Sequence, residues 1–131
     1  MNEKKVLDSY ALLAYLKKED KYERIKELLA SKDVILIMNE INIGECFYIL
    51  ARERGMDKAE YFVHTILPNL PITKKANGFQ DIIEAAKIKA NHPLSYADCF
   101  AIQTSLKEDA PVITGDPEFK KAEKLAKIEW L

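Results

Sequence analysis

The chain alternates short apolar runs with longer segments in which apolar residues recur three and four positions apart. Runs of the first kind occupy residues 5–7, 34–37, 112–114 and 128–130, with a weaker one at 70–72 that prolines flank. Segments of the second kind cover residues 9–17, 21–31, 42–54, 57–67, 78–89, 96–107 and 117–126. This alternation is typical of βα units. It predicts an α/β fold with a mostly parallel central sheet of four or five strands and seven helices.

The length and composition fit one folded domain. A chain of 131 residues leaves no room for a second domain of ordinary size, and 48% hydrophobic with 31% charged residues is the balance of a globular protein. The polar N-terminus lacks the hydrophobic region of a signal peptide, and no run approaches the roughly 20 apolar residues of a membrane span. Cys46 and Cys99 lie far apart without CxxC spacing. We therefore expect a cytoplasmic protein.

Four acidic residues stand at or near the predicted starts of helices. Asp8 ends the apolar run of the first predicted strand, and Asp116 follows the predicted strand 112–114 after Gly115. The carboxyl ends of parallel strands share one edge of a sheet. Glu45 and Asp98 end the frames NIGE and SYAD, each of which begins with a residue that can cap a helix. Capping alone explains each acid taken singly, and this alternative stays open.

Taken together, the four acids predict a shared metal site. Two like charges about 4 Å apart repel by about 4 kcal/mol at an effective dielectric near 20, so clustered carboxylates must take up protons or hold a cation. Oxygen ligands without histidine or thiolate suit Mg²⁺ or Mn²⁺. Such an ion promotes phosphodiester hydrolysis by lowering the pKa of a bound water. The sequence contains no GxSxG elbow, P-loop or GxGxxG motif that would favour other chemistry.

At these residues the sequence resembles PIN domains, in particular those of VapC-type toxins. Four motifs carry the resemblance in the family's order: residues 6–13 (VLDSYALL), 41–46 (INIGEC), 94–98 (LSYAD) and 112–119 (VITGDPEF). The resemblance covers essentially the whole chain. It implies one PIN-like domain over residues 1–131, built as an α/β/α sandwich.

The resemblance also implies an activity and a site. The activity is Mg²⁺- or Mn²⁺-dependent cleavage of RNA, carried out by the toxin of a toxin–antitoxin pair. Such toxins are usually homodimers that a small antitoxin protein neutralises. The implied catalytic and metal-binding residues are Asp8, Glu45, Asp98 and Asp116. Ser9 and Thr114 match hydroxyl positions that support the acids or the attacking water, and Ser95 supports Asp98 as a cap.

Other functions stay open on the sequence alone. The main alternative is a catalytically inactive module of the same fold that binds RNA or protein and keeps the acids as caps. A phosphatase or phosphotransfer receiver is disfavoured because the frame DSY at Asp8 lacks the second acid of a DxD motif. Many nucleic-acid-binding domains are strongly basic, whereas the net charge of this chain is −1. Any contact with RNA must therefore be made by a local group of residues.

Several further residues are assigned structural roles. His64 and His92 lack metal-ligand spacing, and Cys46 and Cys99 are expected to be small core residues. Glu40 is a further acid near the site, for which an exposed surface position is favoured. Core packing is favoured over a partner-binding surface for four aromatic residues, Tyr10, Tyr15, Phe47 and Tyr48.

Overall fold

The computed structural model describes residues 2–131, which form five strands and six α-helices. The strands are β1 (Glu3–Leu7), β2 (Val34–Asn39), β3 (Ile72–Lys75), β4 (Val112–Thr114) and β5 (Ile128–Trp130). The α-helices are α1 (Ser9–Leu16), α2 (Tyr22–Ala30), α3 (Glu40–Arg54), α4 (Met56–Tyr61), α5 (Phe79–Asn91) and α6 (Tyr96–Glu108). A π-helical turn and two 3-10 segments complete the helical structure, at Phe62–Ile66, Leu67–Asn69 and Pro117–Ala122. None of the helices within residues 2–131 has both the length and the hydrophobicity that a membrane span requires.

The sheet is parallel throughout, in the order β3-β2-β1-β4-β5. The central strand β1 pairs with β2 on one side and β4 on the other, so Val6 stands opposite both Ile37 and Val112. All three side chains are buried, as expected for strands that are covered on both faces. Because β1 and β4 are neighbours, the residues that follow them emerge side by side at the carboxyl edge of the sheet.

Helices cover both faces of this sheet. Leu7 and Ile113 belong to a core shared with α1 to α4, whereas Val112 belongs to a core shared with α5 and α6. Successive residues of a strand point to opposite faces, which explains why neighbours in β4 enter different cores. Fully buried phenylalanines anchor both layers, Phe62 in the first and Phe119 in the second. Burial of each ring contributes about 1.5–3 kcal/mol to stability. With helices on both faces of the sheet, the expected α/β/α sandwich is confirmed.

Three predicted elements differ from the structure. Strand β3 spans Ile72–Lys75 rather than 70–72, because Pro71 has no amide hydrogen to donate to the ladder. The helix predicted for residues 57–67 is α-helical only to Tyr61, because Pro68 cannot continue the i to i−4 hydrogen-bond ladder. The helix predicted for residues 117–126 is a 3-10 segment ending at Ala122. The other predicted helices are confirmed with bounds within two residues of the prediction.

Candidate active site

Asp8 lies at the end of β1, where its side chain caps α1. Its Oδ1 accepts the backbone N–H of Ala11 at 2.8 Å, and the hydroxyl of Thr114 donates to the same carboxylate. Burial raises the pKa of Asp8 to about 7, against these two hydrogen bonds, which lower it. The charges of Asp98 and Asp116 raise this pKa as well. Asp8 is therefore a buried acid that a nearby cation would stabilise in its ionised form.

Asp116 emerges from the neighbouring strand β4. Its backbone N–H donates to Thr114 Oγ1 at 3.0 Å, and its Oδ1 accepts the N–H of Glu118 at 3.0 Å. The hydroxyl of Thr114 thus accepts from the backbone of Asp116 while it donates to Asp8. Asp116 also caps the 3-10 segment that begins at Pro117, so capping and membership of the acidic cluster are compatible.

Asp98 is the third residue of α6. Its backbone N–H donates to Ser95 Oγ at 3.1 Å, which confirms Ser95 as the cap of this helix. Burial raises the pKa of Asp98 to about 6, and the hydrogen bond with the Ser95 side chain opposes this shift. The charges of Asp116, Glu45 and Glu118 also raise the pKa, so Asp98 is coupled to acids on two other elements.

Glu45 is half-buried on α3, and the hydroxyl of Ser9 donates to its Oε1. The prediction that Asn42 caps this helix was wrong. The helix begins at Glu40, and Asn39 is the cap, because the Asn39 Oδ1 accepts the N–H of Asn42 at 2.8 Å. Glu45 therefore lies in the second turn of α3 rather than in the first, and Ser9 on α1 orients it.

These contacts bring the four predicted acids into one electrostatic cluster. The charges of Asp98 and Asp116 raise the pKa of Asp8. The charges of Asp116 and Glu45 raise the pKa of Asp98. The acids follow β1 and β4 or lie in the N-terminal halves of α3 and α6, so the cluster lies where the carboxyl ends of β1 and β4 meet these two helices.

The donor chemistry of the cluster suits a hard divalent cation. Within residues 2–131, however, no group of three or more histidine, cysteine, aspartate or glutamate side chains is arranged to hold a metal ion. Mg²⁺ keeps several of its waters and is commonly bound through one or two carboxylates rather than by a closed protein cage. Within residues 2–131 the acids form no preformed cage, so they would hold a cation only together with several of its own waters.

The sequence model of the PIN domain family matches residues 5–125. The chain belongs to the PIN domain family. No curated protein shows significant similarity to the sequence of this PIN domain.

Several solved structures share the fold of this PIN domain. The toxin VapC20 of Mycobacterium tuberculosis, described as cleaving the sarcin–ricin loop, is 16% identical with a TM-score of 0.77, over 95% of this chain and 98% of that one. A DNA-bound VapBC complex from Salmonella typhimurium matches at 15% identity and a TM-score of 0.71, over 99% and 98% of the two chains. FitAcB from Neisseria gonorrhoeae matches at 21% identity and a TM-score of 0.66, over 95% and 96%. At these identities the likeness establishes the fold.

A buried hydrogen-bond network joins two of the acid-bearing helices of the PIN domain, and the sequence analysis did not identify it. Asn39 Nδ2 donates to Asn42 Oδ1 at 2.8 Å and to Thr104 Oγ1 at 3.1 Å, while Asn42 Nδ2 donates to Ala97 O at 3.0 Å. The network connects the start of α3 to the body and the first turn of α6. An asparagine that directly follows the apolar run of β2 was the available signal, since asparagine is a preferred cap.

The aromatic residues are less buried than predicted. Tyr10 is 44% exposed and Tyr48 is 47% exposed, so the expectation of core packing was wrong for both. The ring of Tyr48 instead lies beneath the guanidinium of Arg52, 5.3 Å from the ring centroid. Tyr15 and Phe47 are partly buried against the core, as expected.

The remaining predicted surface and core positions agree with the structure. Cys46 and Cys99 are both buried, and Glu40 is exposed. His64 is exposed, and its Nε2 lies 2.9 Å from a carboxylate oxygen of Glu60 on the same helical stretch. This local pair explains His64 without a role at the acidic cluster.

Proposed function

We propose that this PIN domain, taken over residues 1–131, is a metal-dependent endoribonuclease and the toxin of a toxin–antitoxin pair. The observation that carries the proposal is the convergence of four acids on one edge of the sheet, with the pKa of Asp8 raised to about 7 and that of Asp98 raised to about 6. Clustered carboxylates whose ionised forms are disfavoured by burial destabilise a metal-free protein. Groups with such strongly shifted pKa values are characteristic of functional sites.

Each residue of the site has a proposed role. The acids that would hold the cation are Asp8, Glu45, Asp98 and Asp116. Ser9 orients Glu45 through its hydroxyl, and Thr114 fixes the carboxylate of Asp8 relative to the backbone of Asp116. Ser95 fixes the first turn of α6 and with it Asp98. A bound Mg²⁺ or Mn²⁺ would supply a water of lowered pKa and neutralise charge on the phosphate.

The proposal extends to partners. Two similar structures are named for toxin–antitoxin systems, a toxin–antitoxin complex from Klebsiella pneumoniae and VapBC-5 from Mycobacterium tuberculosis. We propose that this chain likewise acts in the cytoplasm as a homodimer, with RNA as its substrate and a small antitoxin protein as its partner.

The purified protein is expected to cleave RNA only when a divalent cation is present. The assay incubates it with total cellular RNA, including tRNA, in Mn²⁺, in Mg²⁺ and in EDTA. An Asp98→Asn variant prepared in the same way reveals any contaminating ribonuclease. If folded protein leaves every RNA intact in both metals, the chain is a binding module and the nuclease proposal is wrong. Equal cleavage in EDTA would contradict the role of the cation.

Mn²⁺ is expected to stabilise the protein, because a cation relieves the repulsion among the acids. At ten times its Kd, a ligand that binds only the folded state adds about 1.4 kcal/mol to the free energy of unfolding. Thermal melting at increasing Mn²⁺ concentration measures this effect. A sample in EDTA without added Mn²⁺ provides the metal-free baseline. A melting temperature that does not respond to Mn²⁺ would contradict the proposal that the acids bind a cation.

A further inference from the structure

We propose that the groove along the face of α1 that carries Tyr10 is a binding subsite for a nucleobase, with Tyr10 as its stacking platform. The inference deepens the proposed function, on which it rests, by naming where the RNA is held next to the acidic cluster. Three features carry it: the placement of the Tyr10 ring, the cavity beside the ring and the charge of the surroundings.

The ring of Tyr10 is held against the backbone at the rim of the acidic cluster. A Cβ atom placed on Gly115 would lie 2.6 Å from Tyr10 Cε1, a separation that real Cβ atoms essentially never show. Gly115 lies between Thr114 and Asp116, and the backbone of Gly115 does not adopt a positive φ. The close approach of the ring is thus the structural reason for glycine at this position. With one part of the ring against Gly115 and 44% of the residue exposed, Tyr10 offers an accessible aromatic surface.

An open cavity of about 590 Å³ lies beside this ring. Its lining residues are Tyr10, Leu13, Ala14, Lys17, Glu19 and Asp20. The first four recur at i, i+3, i+4 and i+7 and so form one face of α1, which runs for roughly 10 Å away from the acidic cluster. The volume falls in the range of small-molecule pockets. The cavity has an apolar floor next to an aromatic wall and a polar far end, which suits the flat face and polar edge of a nucleobase.

The surrounding charges favour a base over a phosphate as the occupant. The charges that act most strongly on Asp98 are acidic, and Glu19 and Asp20 line the far end of the cavity. Lys17 is already paired, with its Nζ 3.0 Å from Glu53 and 3.5 Å from Glu19. Such a surface offers little attraction to the phosphates of RNA, so affinity must come from the uncharged part of the nucleotide. Stacking on an aromatic side chain provides it without regard to sequence.

The test compares two probes that differ only in the base, adenosine 5′-monophosphate and ribose 5-phosphate, by NMR titration of the wild-type protein. The monophosphate is expected to shift the resonances of Leu13 and Ala14, whereas ribose 5-phosphate leaves them in place. Tyr10→Leu should weaken binding of the monophosphate about tenfold, equivalent to about 1.4 kcal/mol. Tyr10→Phe, which keeps the aromatic face, should bind within about threefold of wild type.

Two further variants separate stacking from a general disturbance. Tyr61→Leu replaces another exposed tyrosine, on α4, and is expected to leave binding unchanged. Gly115→Ala keeps Tyr10 but displaces its ring, and should weaken binding as Tyr10→Leu does. Melting temperatures report whether each variant folds.

The outcomes distinguish this inference from the proposed function. If the protein cleaves RNA but the monophosphate does not shift Leu13 and Ala14, or ribose 5-phosphate shifts them equally, the nucleobase subsite is wrong and the nuclease stands. Equal binding by Tyr10→Leu and wild type would overturn it too. If the monophosphate binds through Tyr10 but no RNA is cleaved, the subsite stands and the nuclease proposal fails.

Discussion

Replacing Asp8 by asparagine is expected to make the metal-free protein more stable at pH 8 and to reduce RNA cleavage by at least about 100-fold. Asparagine has no charge to desolvate or to be repelled by Asp98 and Asp116. Its Oδ1 can still accept the N–H of Ala11, so the cap of α1 is retained. Cleavage is lost because an amide cannot neutralise a divalent cation.

The pH dependence follows from the direction of the pKa shift. Between the ordinary value of 3.8 and the folded value of about 7, the folded protein keeps a proton on Asp8 that the unfolded chain has lost. The stabilisation that protonated Asp8 gives is complete below pH 3.8 and is lost as the pH rises through about 7. Each pKa unit corresponds to about 1.4 kcal/mol, so the penalty on the ionised form is on the order of a few kcal/mol.

Urea unfolding in EDTA at pH 4.5 and pH 8 measures this difference. The gain of Asp8→Asn over wild type should be small at pH 4.5 and large at pH 8. Asp33→Asn, at an exposed aspartate in the loop before β2, is the matched control and should show no such gain. If Asp8→Asn is less stable than wild type at pH 8, burial does not destabilise the ionised form of Asp8 and the interpretation is wrong.

Replacing Asn42 by alanine is expected to lower the free energy of unfolding by about 2–3 kcal/mol. Asn42 is 1% exposed, accepts from Asn39 and donates to Ala97, so its removal breaks one buried and one partly buried hydrogen bond and leaves a cavity. It also loosens the link between α3 and α6. Because these helices carry Glu45 and Asp98, affinity for Mn²⁺ should fall roughly 10- to 100-fold although every acid is intact.

Urea denaturation and Mn²⁺ titration of the same Asn42→Ala preparation test both effects. Asn69→Ala is the control, since Asn69 is exposed and donates one hydrogen bond, to Thr65 O at 2.7 Å. It should change stability by no more than about 0.5 kcal/mol. If the two variants behave alike, the network does not hold the acid-bearing helices together.

The positions of the acids in the fold were predictable from the sequence wherever local rules applied. Asp8 follows β1 directly and Asp116 follows β4 after one residue. Ser95 caps α6 three residues before Asp98, so each position can be identified from a few neighbouring residues. Glu45 was found for an incorrect local reason, because its helix is capped by Asn39 and not by Asn42. The acid was identified through the family motif rather than through the helix start.

The exposure of Tyr10 could not be predicted in this way. The spacing of apolar residues along α1 is compatible with a buried or an exposed ring at this position. The ring lies against Gly115, a residue that follows β4 and approaches Tyr10 because β4 lies beside β1. Likewise, the buried hydrogen bond from Asn39 to Thr104 joins residues whose proximity depends on how α6 packs across the sheet.

The amino-acid sequence by itself determined the α/β class, the approximate helices and the identity of the acids, because periodicity, capping and strand ends are properties of short segments. The tertiary structure alone decided the strand order, the coupling of Asp8 to Asp98 and Asp116 and the raised pKa values. Desolvation and charge repulsion depend on which distant side chains share a low-dielectric space. No local pattern encodes that information before the chain has folded.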